Sequence, residues 1–247
     1  MNLLDCLTLP IESNRWGERI NNPGGALYFR DNDADVLAIA HLDHVEWTQP
    51  RKYGPIVKAP QLDDRLGVWV LLNVLPRLGV KVDVLLTDNE EVGDSTGQYF
   101  EGNYNWMFEF DRRGTDVVMY HYEEPYYLDL LEFAGFEPGW GSFSDISLMD
   151  HLGVVGFNFG TGYCNEHTCK CYADLRVTMA QAKRFAAFWQ THKREYMPII
   201  ESASAFETTD EYLFGNSYWE IEEKSRYYGY TNSDEFIQDG GLQLLNN

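Results

Sequence analysis

The chain has 247 residues, of which 44% are hydrophobic and 15% aromatic, enough to bury one substantial core and too apolar for a disordered protein. Its 39 acidic residues against 19 basic residues give a formal net charge of −20, which argues against a nucleic-acid partner because phosphate binding needs a basic surface. No segment reaches the roughly 18–20 apolar residues needed to cross a membrane, so no membrane association is expected.

Apolar segments that alternate with turn-forming residues predict an α/β fold. Strands are expected at residues 25–30, 35–41, 81–87, 106–111, 116–121, 154–159 and 171–175, and helices at 66–78, 93–100 and 126–134. Thr178 is expected to cap a final amphipathic helix, and Pro76 to end or kink the first. The alternation favours a mixed, mostly parallel central sheet with helices on both faces.

Five short segments carry residues that bind hard or borderline metal ions. In chain order they are AHLDH (His41, Asp43), QLDDRLG (Asp63, Asp64), TDNEEVG (Glu90, Glu91), EFDRRG (Asp111) and NEHT (His167). Each motif alone is common in an acidic chain. Three of them, however, follow directly on predicted strands, and open α/β sheets place their ligand crevice at the carboxyl ends of strands. A solvated acidic surface does not predict that recurrence.

The residue types suit two divalent ions about 3.5–4 Å apart, because such a pair needs one bridging carboxylate and further nitrogen or oxygen ligands. In this assignment Asp63 bridges the ions. His41 and Asp111 complete one ion, and Glu91 and His167 complete the other. Each ion then has three protein ligands and an open position.

Two further acids have roles other than metal binding in this assignment. Asp43 can accept a hydrogen bond from the second nitrogen of the His41 imidazole and so orient the ring. Glu90 lies next to a ligand and is placed to accept a proton from the attacking water. Together these residues describe a two-metal hydrolytic site.

The ordered motifs, spanning about residues 37 to 175, resemble those of the zinc-dependent exopeptidases with co-catalytic metals, which include aminopeptidases, carboxypeptidases and deacylases. The resemblance implies the same five ligands, Glu90 as general base and an orienting role for Asp43. It also implies a cis peptide after the bridging aspartate, and a substrate pocket lined by the GSFSDIS segment with Ser144 and Asp145. The gaps between motifs are too short for an inserted domain, so the chain looks like the single-domain form.

The expected activity is hydrolysis of an amide bond at a peptide terminus, by an aminopeptidase. Zinc is the favoured ion, and cobalt or manganese would suit the same ligands. Arg113, with its neighbour Arg112, invites a role in holding a substrate carboxylate, although both could instead pair with local acids such as Glu109. The alternative is a metal-dependent deacylase or carboxypeptidase-like enzyme acting on an N-acyl amino acid. A non-catalytic binding protein on the same fold would be expected to lack part of the ligand set.

The composition predicts a catalytic domain at residues 1–200 and an extension at 201–247. The extension has ten acidic residues against Lys224 and Arg226, interleaved with aromatics. We expect it to pack on the domain or to join a subunit interface, which leaves a homo-oligomer open, and a free acidic tail is the alternative.

The first residues and the cysteines bear on location and redox state. The start, MNLLDCLTLPIES, lacks the basic segment of a signal peptide, so we expect a cytoplasmic protein. Cys164, Cys169 and Cys171 surround His167, and a separate zinc site there is an alternative. Free thiols are favoured, because the spacing lacks the paired CxxC of structural zinc sites.

Overall fold

A computed structural model describes residues 1–200. The predicted extension at 201–247 lies outside the described residues, and the domain boundary at residue 200 stays a prediction. Within 1–200 no helix has the length and hydropathy to cross a membrane.

The described region contains eleven strands and five α-helices. The strands are β1 (Glu18–Asn22), β2 (Gly25–Arg30), β3 (Val36–His41), β4 (Arg51–Tyr53), β5 (Ile56–Lys58), β6 (Asp83–Thr87), β7 (Trp106–Arg112), β8 (Val117–Val118), β9 (Gly156–Gly160), β10 (Tyr163–Cys164) and β11 (Tyr172–Asp174). The helices are α1 (Leu3–Thr8), α2 (Leu62–Trp69), α3 (Leu75–Arg77), α4 (Pro125–Phe133) and α5 (Leu175–His192).

The main sheet has seven strands in the order β1-β2-β6-β3-β7-β9-β8. The four central strands, β6, β3, β7 and β9, run parallel, whereas β1, β2 and β8 pair antiparallel at the edges. Every residue of β3 and of β6 is buried, as expected for parallel strands covered on both faces. The mixed α/β sheet predicted from the sequence is confirmed.

A second, four-stranded antiparallel sheet has the order β10-β11-β5-β4. All four strands are two or three residues long, and the sequence predicts only β11. The sheet packs on α1 and α2 through a small apolar cluster that includes Leu7, Val57, Leu66 and Ala173. This packing holds the β10–β11 connection, which carries His167, over the start of α2.

An aromatic core joins the main sheet to α5. Phe108 of β7 packs against Phe185 of α5 with ring centroids 4.3 Å apart and the ring planes tilted by 36°, and Trp106 meets Phe157 of β9 edge to face. Aromatic pairs of this kind stabilise a fold beyond the area they bury. They fix the strands whose carboxyl ends form the crevice described below.

The first and last helices depart from the prediction in detail. In α2, Asp63 and Asp64 have non-helical backbone angles, so its regular part begins at Arg65, one residue before the predicted start. The helix continues through a π-helical turn, Val70–Val74, into α3, where Pro76 occupies the first turn. The prediction of Thr178 as N-cap is wrong, because the Asp174 side chain accepts a hydrogen bond from the backbone N–H of Arg176 at 3.0 Å and α5 begins at Leu175.

Two other predicted elements are shorter than expected. The helix predicted at 93–100 is a pair of 3₁₀ turns, Glu90–Val92 and Thr96–Tyr99. The strand predicted at 116–121 ends at Val118 and gives way to a 3₁₀ turn, Tyr120–Tyr122. In that turn Tyr120 has a φ of +55°, a left-handed conformation that a bulky residue rarely adopts.

Gly67 lets α2 approach the backbone of β7 closely. A Cβ at this position would overlap the Asp64 carboxylate and lie 2.5 Å from the carbonyl oxygen of Phe110. We therefore expect Gly67→Ala to lower the free energy of unfolding by about 3 kcal/mol through overpacking, as measured by urea denaturation. Gly79→Ala is the control, since its methyl group meets no described atom within 4 Å and the left-handed backbone alone costs about 1 kcal/mol. Equal losses for the two variants would contradict the steric account.

Candidate active site

The acidic motifs meet at one edge of the main sheet. His41 ends β3, Asp111 is the penultimate residue of β7, and the turn with Glu90 and Glu91 follows β6. Because β6, β3 and β7 are adjacent and parallel, their carboxyl ends lie side by side. Asp63, at the start of α2, lies next to this edge, with its carboxylate 3.3 Å from His41 Nε2.

The five predicted ligands form two groups that share one carboxylate. Asp63 Oδ1 lies 3.3 Å from His41 Nε2, and Asp63 Oδ2 lies 3.1 Å from His167 Nε2. His41 Nε2 is also 3.2 Å from Asp111 Oδ1, and His167 Nε2 is 3.0 Å from Glu91 Oε2. The two imidazoles thus approach Asp63 through different oxygens, and each has one further carboxylate beside it.

The polar atoms of the two groups fit divalent cations. Among the described residues, His41 Nε2, Asp111 Oδ1 and Glu91 Oε1 are buried and have no hydrogen-bond partner. Unsatisfied buried polar atoms are costly and rare. Ligand atoms of His41, Asp63 and Glu91 lie within 4.8 Å of one another, and mixed imidazole and carboxylate sets of this kind suit zinc, cobalt and manganese.

Burial and the proximity of several acids raise the pKa values of several side chains in this site. The hydrogen bond with Asp63 raises the pKa of His167 to about 9. Burial raises the pKa of Asp111 to about 7 and that of Glu90 to about 9. In the absence of cations the site therefore holds protons that bound cations would displace.

Asp43 orients His41, but not by the group expected. His41 Nδ1 lies 3.1 Å from the backbone oxygen of Asp43 and 3.5 Å from its carboxylate. Since a carbonyl oxygen only accepts, Nδ1 donates, which leaves Nε2 facing Asp63 and Asp111 at the place where a bound cation would accept its lone pair. The Asp43 carboxylate instead accepts the backbone N–H of Glu91 at 3.0 Å and that of Glu90 at 3.3 Å, which holds the acidic turn in place.

Two ligand-bearing segments have unusual backbone geometry. The peptide bond between Asp63 and Asp64 is cis, as the family resemblance implies. His167 has a φ of +56°, a left-handed conformation that is uncommon for residues other than glycine and clusters at functional sites. Asp64 itself points away from the ligands, and one of its oxygens accepts the backbone N–H of Gly67 at 3.1 Å.

The GSFSDIS segment, predicted to line a substrate pocket, contributes Gly141, Ser142 and Phe143 to the cavity described below, whereas Ser144 and Asp145 are buried beneath it. Ser144 is 1% exposed, and its Oγ lies 2.5 Å from Glu109 Oε2 and 3.1 Å from Asp111 Oδ2. Asp145 is 0% exposed and accepts hydrogen bonds from the hydroxyl groups of Thr87 and Ser95. Ser144 and Asp145 therefore support the site from the buried beginning of a 3₁₀ turn, Asp145–Leu148.

Two supporting residues were not identified from the sequence. Glu109 is fully buried, and its second oxygen accepts the backbone N–H of Ile146 at 2.9 Å. Its position two residues before Asp111, on the same face of a buried strand, is the signal that was available. Arg65, the residue after the Asp-Asp pair, is also buried, and its Nε donates to the carbonyl oxygen of Leu42 at 2.6 Å.

A cavity of about 320 Å³ opens beside Asp111 and His167. Arg112, Tyr120, Trp140 and Tyr163 are among the residues that line it. The two arginines pair with acids other than Glu109: Arg112 with Asp116, and Arg113 with Glu166 at 2.5 Å. The Arg113 side chain is 64% exposed at the rim, and its role in substrate binding stays a prediction.

The cysteines are free thiols, as predicted. Cys6 and Cys171 are buried, Cys164 is partly buried and Cys169 is exposed. Within residues 1–200 no metal-ligand cluster includes a cysteine, which argues against the alternative of a separate zinc site around His167.

No protein-family model matches the sequence, and no curated protein matches it. Solved structures do match. They include the aminopeptidase PepT from Bacillus cereus, with a TM-score of 0.51 and 10% identity over 69% of this chain and 87% of that one. A tripeptidase from Staphylococcus aureus has a TM-score of 0.52 and 8% identity, with coverage of 78% and 91%. An aminopeptidase from the archaeon Desulfurococcus kamchatkensis has a TM-score of 0.51 and 13% identity, with coverage of 82% and 92%.

The chain has the zinc-exopeptidase fold. The resemblance inferred from the order of the motifs is thus confirmed at the level of the fold, and the structural neighbours that carry it are peptidases.

The proton affinity of His167 offers a direct test of the geometry around Asp63. In chelator-treated protein we expect His167 to titrate with a pKa of about 9. Nitrogen-detected NMR of the histidine side chains measures this titration, and the His167→Gln variant identifies the His167 signal. Asp63→Asn should lower this pKa, because it removes the partner that stabilises the imidazolium. A His167 pKa near the ordinary value in the unsubstituted, metal-free protein would contradict the arrangement.

Proposed function

We propose that the protein is a hydrolase that holds two divalent cations and cleaves an amide bond at a peptide terminus, as an aminopeptidase. The observation that carries the proposal is the geometry of Asp63, whose two oxygens face His41 at 3.3 Å and His167 at 3.1 Å. A carboxylate in this position can bridge two ions. The shared fold with peptidases supports the same function.

The ligand sets follow from the two groups around Asp63. One ion would be held by His41, Asp63 and Asp111, and the other by Asp63, Glu91 and His167. Zinc suits this mixture of imidazole and carboxylate, and cobalt or manganese would fit the same ligands. Bound here, the cations supply Lewis acidity toward the substrate carbonyl and toward water.

Glu90 is the proposed general base. Its side chain is 12% exposed, and its Oε2 lies 3.7 Å from His41 Nε2, outside both ligand sets. It would accept a proton from the attacking water and return that proton to the departing amine. Burial raises the pKa of Glu90 to about 9 in the metal-free protein, and nearby cations act in the opposite direction by favouring the carboxylate.

The backbone of the acidic turn keeps these two roles apart. Asp43 accepts the backbone N–H groups of both Glu90 and Glu91, so the two side chains leave a fixed turn in different directions. Glu91 reaches His167 at 3.0 Å, and Glu90 reaches His41 at 3.7 Å. Adjacent glutamates can thus serve one as a ligand and the other as a proton carrier.

The size of the cavity favours a small substrate. Its volume of about 320 Å³ is at the lower end of the range for ligand pockets, and this size suits the end of a peptide. A deacylase or carboxypeptidase-like enzyme would use the same ligands and the same general base, and would differ in which end of the substrate the cavity receives.

A panel of substrates tests the activity. We expect the zinc-loaded protein to hydrolyse aminoacyl anilides with a free amino group faster than N-acyl amino acids. Glu90→Gln should lower kcat by about 10²–10⁴-fold, because proton transfer is lost while the ligands remain. Glu101→Gln, at an exposed position, is the matched control and should have the same kcat as the unsubstituted protein. Faster cleavage of the N-acyl substrates would favour the deacylase. Full activity of metal-loaded Glu90→Gln would contradict the assignment of Glu90 as the general base.

The shared role of Asp63 predicts an asymmetric effect on metal content. Asp63→Ala should lose both ions, because it removes a ligand from each, whereas Asp111→Ala should lose one and keep the site formed by Glu91 and His167. Elemental analysis after zinc loading and dialysis measures the ratio of metal to protein. The exposed Asp129→Ala is the control. Equal losses from Asp63→Ala and Asp111→Ala would contradict the bridging role.

A further inference from the structure

Arg112 has a guanidinium group that is held on one edge and open on the other. Asp116 Oδ2 accepts hydrogen bonds from Arg112 Nε at 2.9 Å and from Nη2 at 2.6 Å. The third nitrogen, Nη1, makes no hydrogen bond to any residue within 1–200. The side chain is 19% exposed and lines the cavity beside Asp111. A fixed cation with free donors therefore faces the substrate space.

The loop Gly139–Trp140–Gly141 leaves room for this arrangement. A Cβ at Gly139 would overlap the Asp116 carboxylate. A Cβ at Gly141 would lie 3.1 Å from the Tyr120 ring and 3.6 Å from Arg112 Nη1. Glycine at both positions thus admits the ion pair and keeps the space in front of Nη1 clear. Between them Trp140, 66% exposed, forms a wall of the cavity.

The irregular pairing of β7 with β9 explains how neighbouring residues reach one cavity. Successive side chains of a regular strand point to opposite faces. The register between β7 and β9 shifts between Glu109 and Arg112, and Asp111 and Arg112 both line the cavity. A proposed metal ligand and a cation are thereby placed next to each other at the substrate space.

Charge and geometry favour a carboxylate as the partner of Arg112. Guanidinium groups bind carboxylates through charge-assisted hydrogen bonds, and a group already fixed by Asp116 loses little freedom on binding. Arg113 is a weaker candidate, because it is mostly exposed and its Nη1 is paired with Glu166 at 2.5 Å. The remaining acid at the cavity, Asp111, belongs to a proposed metal-binding group.

We propose that Arg112 binds a carboxylate of the substrate and thereby determines specificity. This inference rests on the proposed peptidase function. The carboxylate has two sources, the side chain of an acidic terminal residue or the α-carboxylate of a dipeptide. Arg112 is a binding residue and takes no part in proton transfer.

Matched substrate pairs distinguish the sources in the zinc-loaded protein. Glutamyl and glutaminyl p-nitroanilides differ by a side-chain carboxylate, and leucyl-alanine and its amide differ by the α-carboxylate. We expect at least a tenfold higher kcat/KM for the charged member of one pair. Arg112→Gln should reduce this ratio to about one. Arg112→Lys, which keeps the charge and loses the fork, should give an intermediate ratio.

Two further variants separate recognition from folding. Gly141→Val should lower the same ratio by filling the space before Nη1 while the ion pair with Asp116 remains. Arg176→Gln is the matched control, since Arg176 forms a comparable pair with Asp174 outside the cavity, and it should keep the ratio. Circular dichroism and thermal unfolding identify variants that fail to fold.

The outcomes are decisive in both directions. Equal kcat/KM for charged and neutral substrates, an unchanged ratio in Arg112→Gln, or loss of the ratio in Arg113→Gln alone would overturn the inference while leaving the peptidase proposal intact. If the protein cleaves no substrate, the proposed function fails, and calorimetry of glutarate against glutaramide tests Arg112 alone. Binding of glutarate that is at least tenfold weaker in Arg112→Gln supports the inference, and equal binding overturns it.

Discussion

The structure depends on the convergence of several carboxylates whose side chains are no more than 9% exposed. Carboxylate oxygens of Asp63, Asp111 and Glu91 lie 3.0–3.3 Å from the Nε2 atoms of His41 and His167. Like charges in such a place repel one another, and each also loses hydration. Protons on the histidines offset this in the metal-free chain, as the raised pKa of His167 indicates. Divalent cations offset it when bound. Either way the fold needs positive charge at this point.

The sheet was predictable where it is buried. Continuous apolar runs mark β3 and β6 because parallel strands have no solvated face, and β2 lies where predicted, at Gly25–Arg30. The second sheet was not predictable as a sheet: β11 was predicted as a strand, but strands of two or three residues have no measurable alternation that would show their pairing. Asp174 and Thr178 are both good capping residues, and the choice between them depends on where β11 ends, which is a tertiary effect.

The grouping of the ligands around Asp63 was also within reach of the sequence, because motifs at the ends of neighbouring parallel strands must meet. Their surroundings were not. Ser144 lies behind Asp111 because its loop enters the sheet edge, and no local pattern in GSFSDIS encodes that depth. The preference for Arg112 over Arg113 as the inward cation depends on a register irregularity between β7 and β9. A shift of one residue exchanges the faces of a strand, so adjacent arginines cannot be told apart from their order alone.

Arg65 connects the segment around Asp63 to the first residues of the chain. Its guanidinium donates to the carbonyl oxygens of Cys6 at 3.1 Å, of Leu9 at 3.0 Å and of Leu42 at 2.6 Å, and it lies 5.0 Å from the Trp16 ring. Because a buried cation is stabilised by these acceptors, the amino-terminal helix helps to hold the sheet edge that carries the proposed metal site. Removing those first residues, or fusing a purification tag that disturbs them, would therefore alter the proposed site although it is distant in sequence.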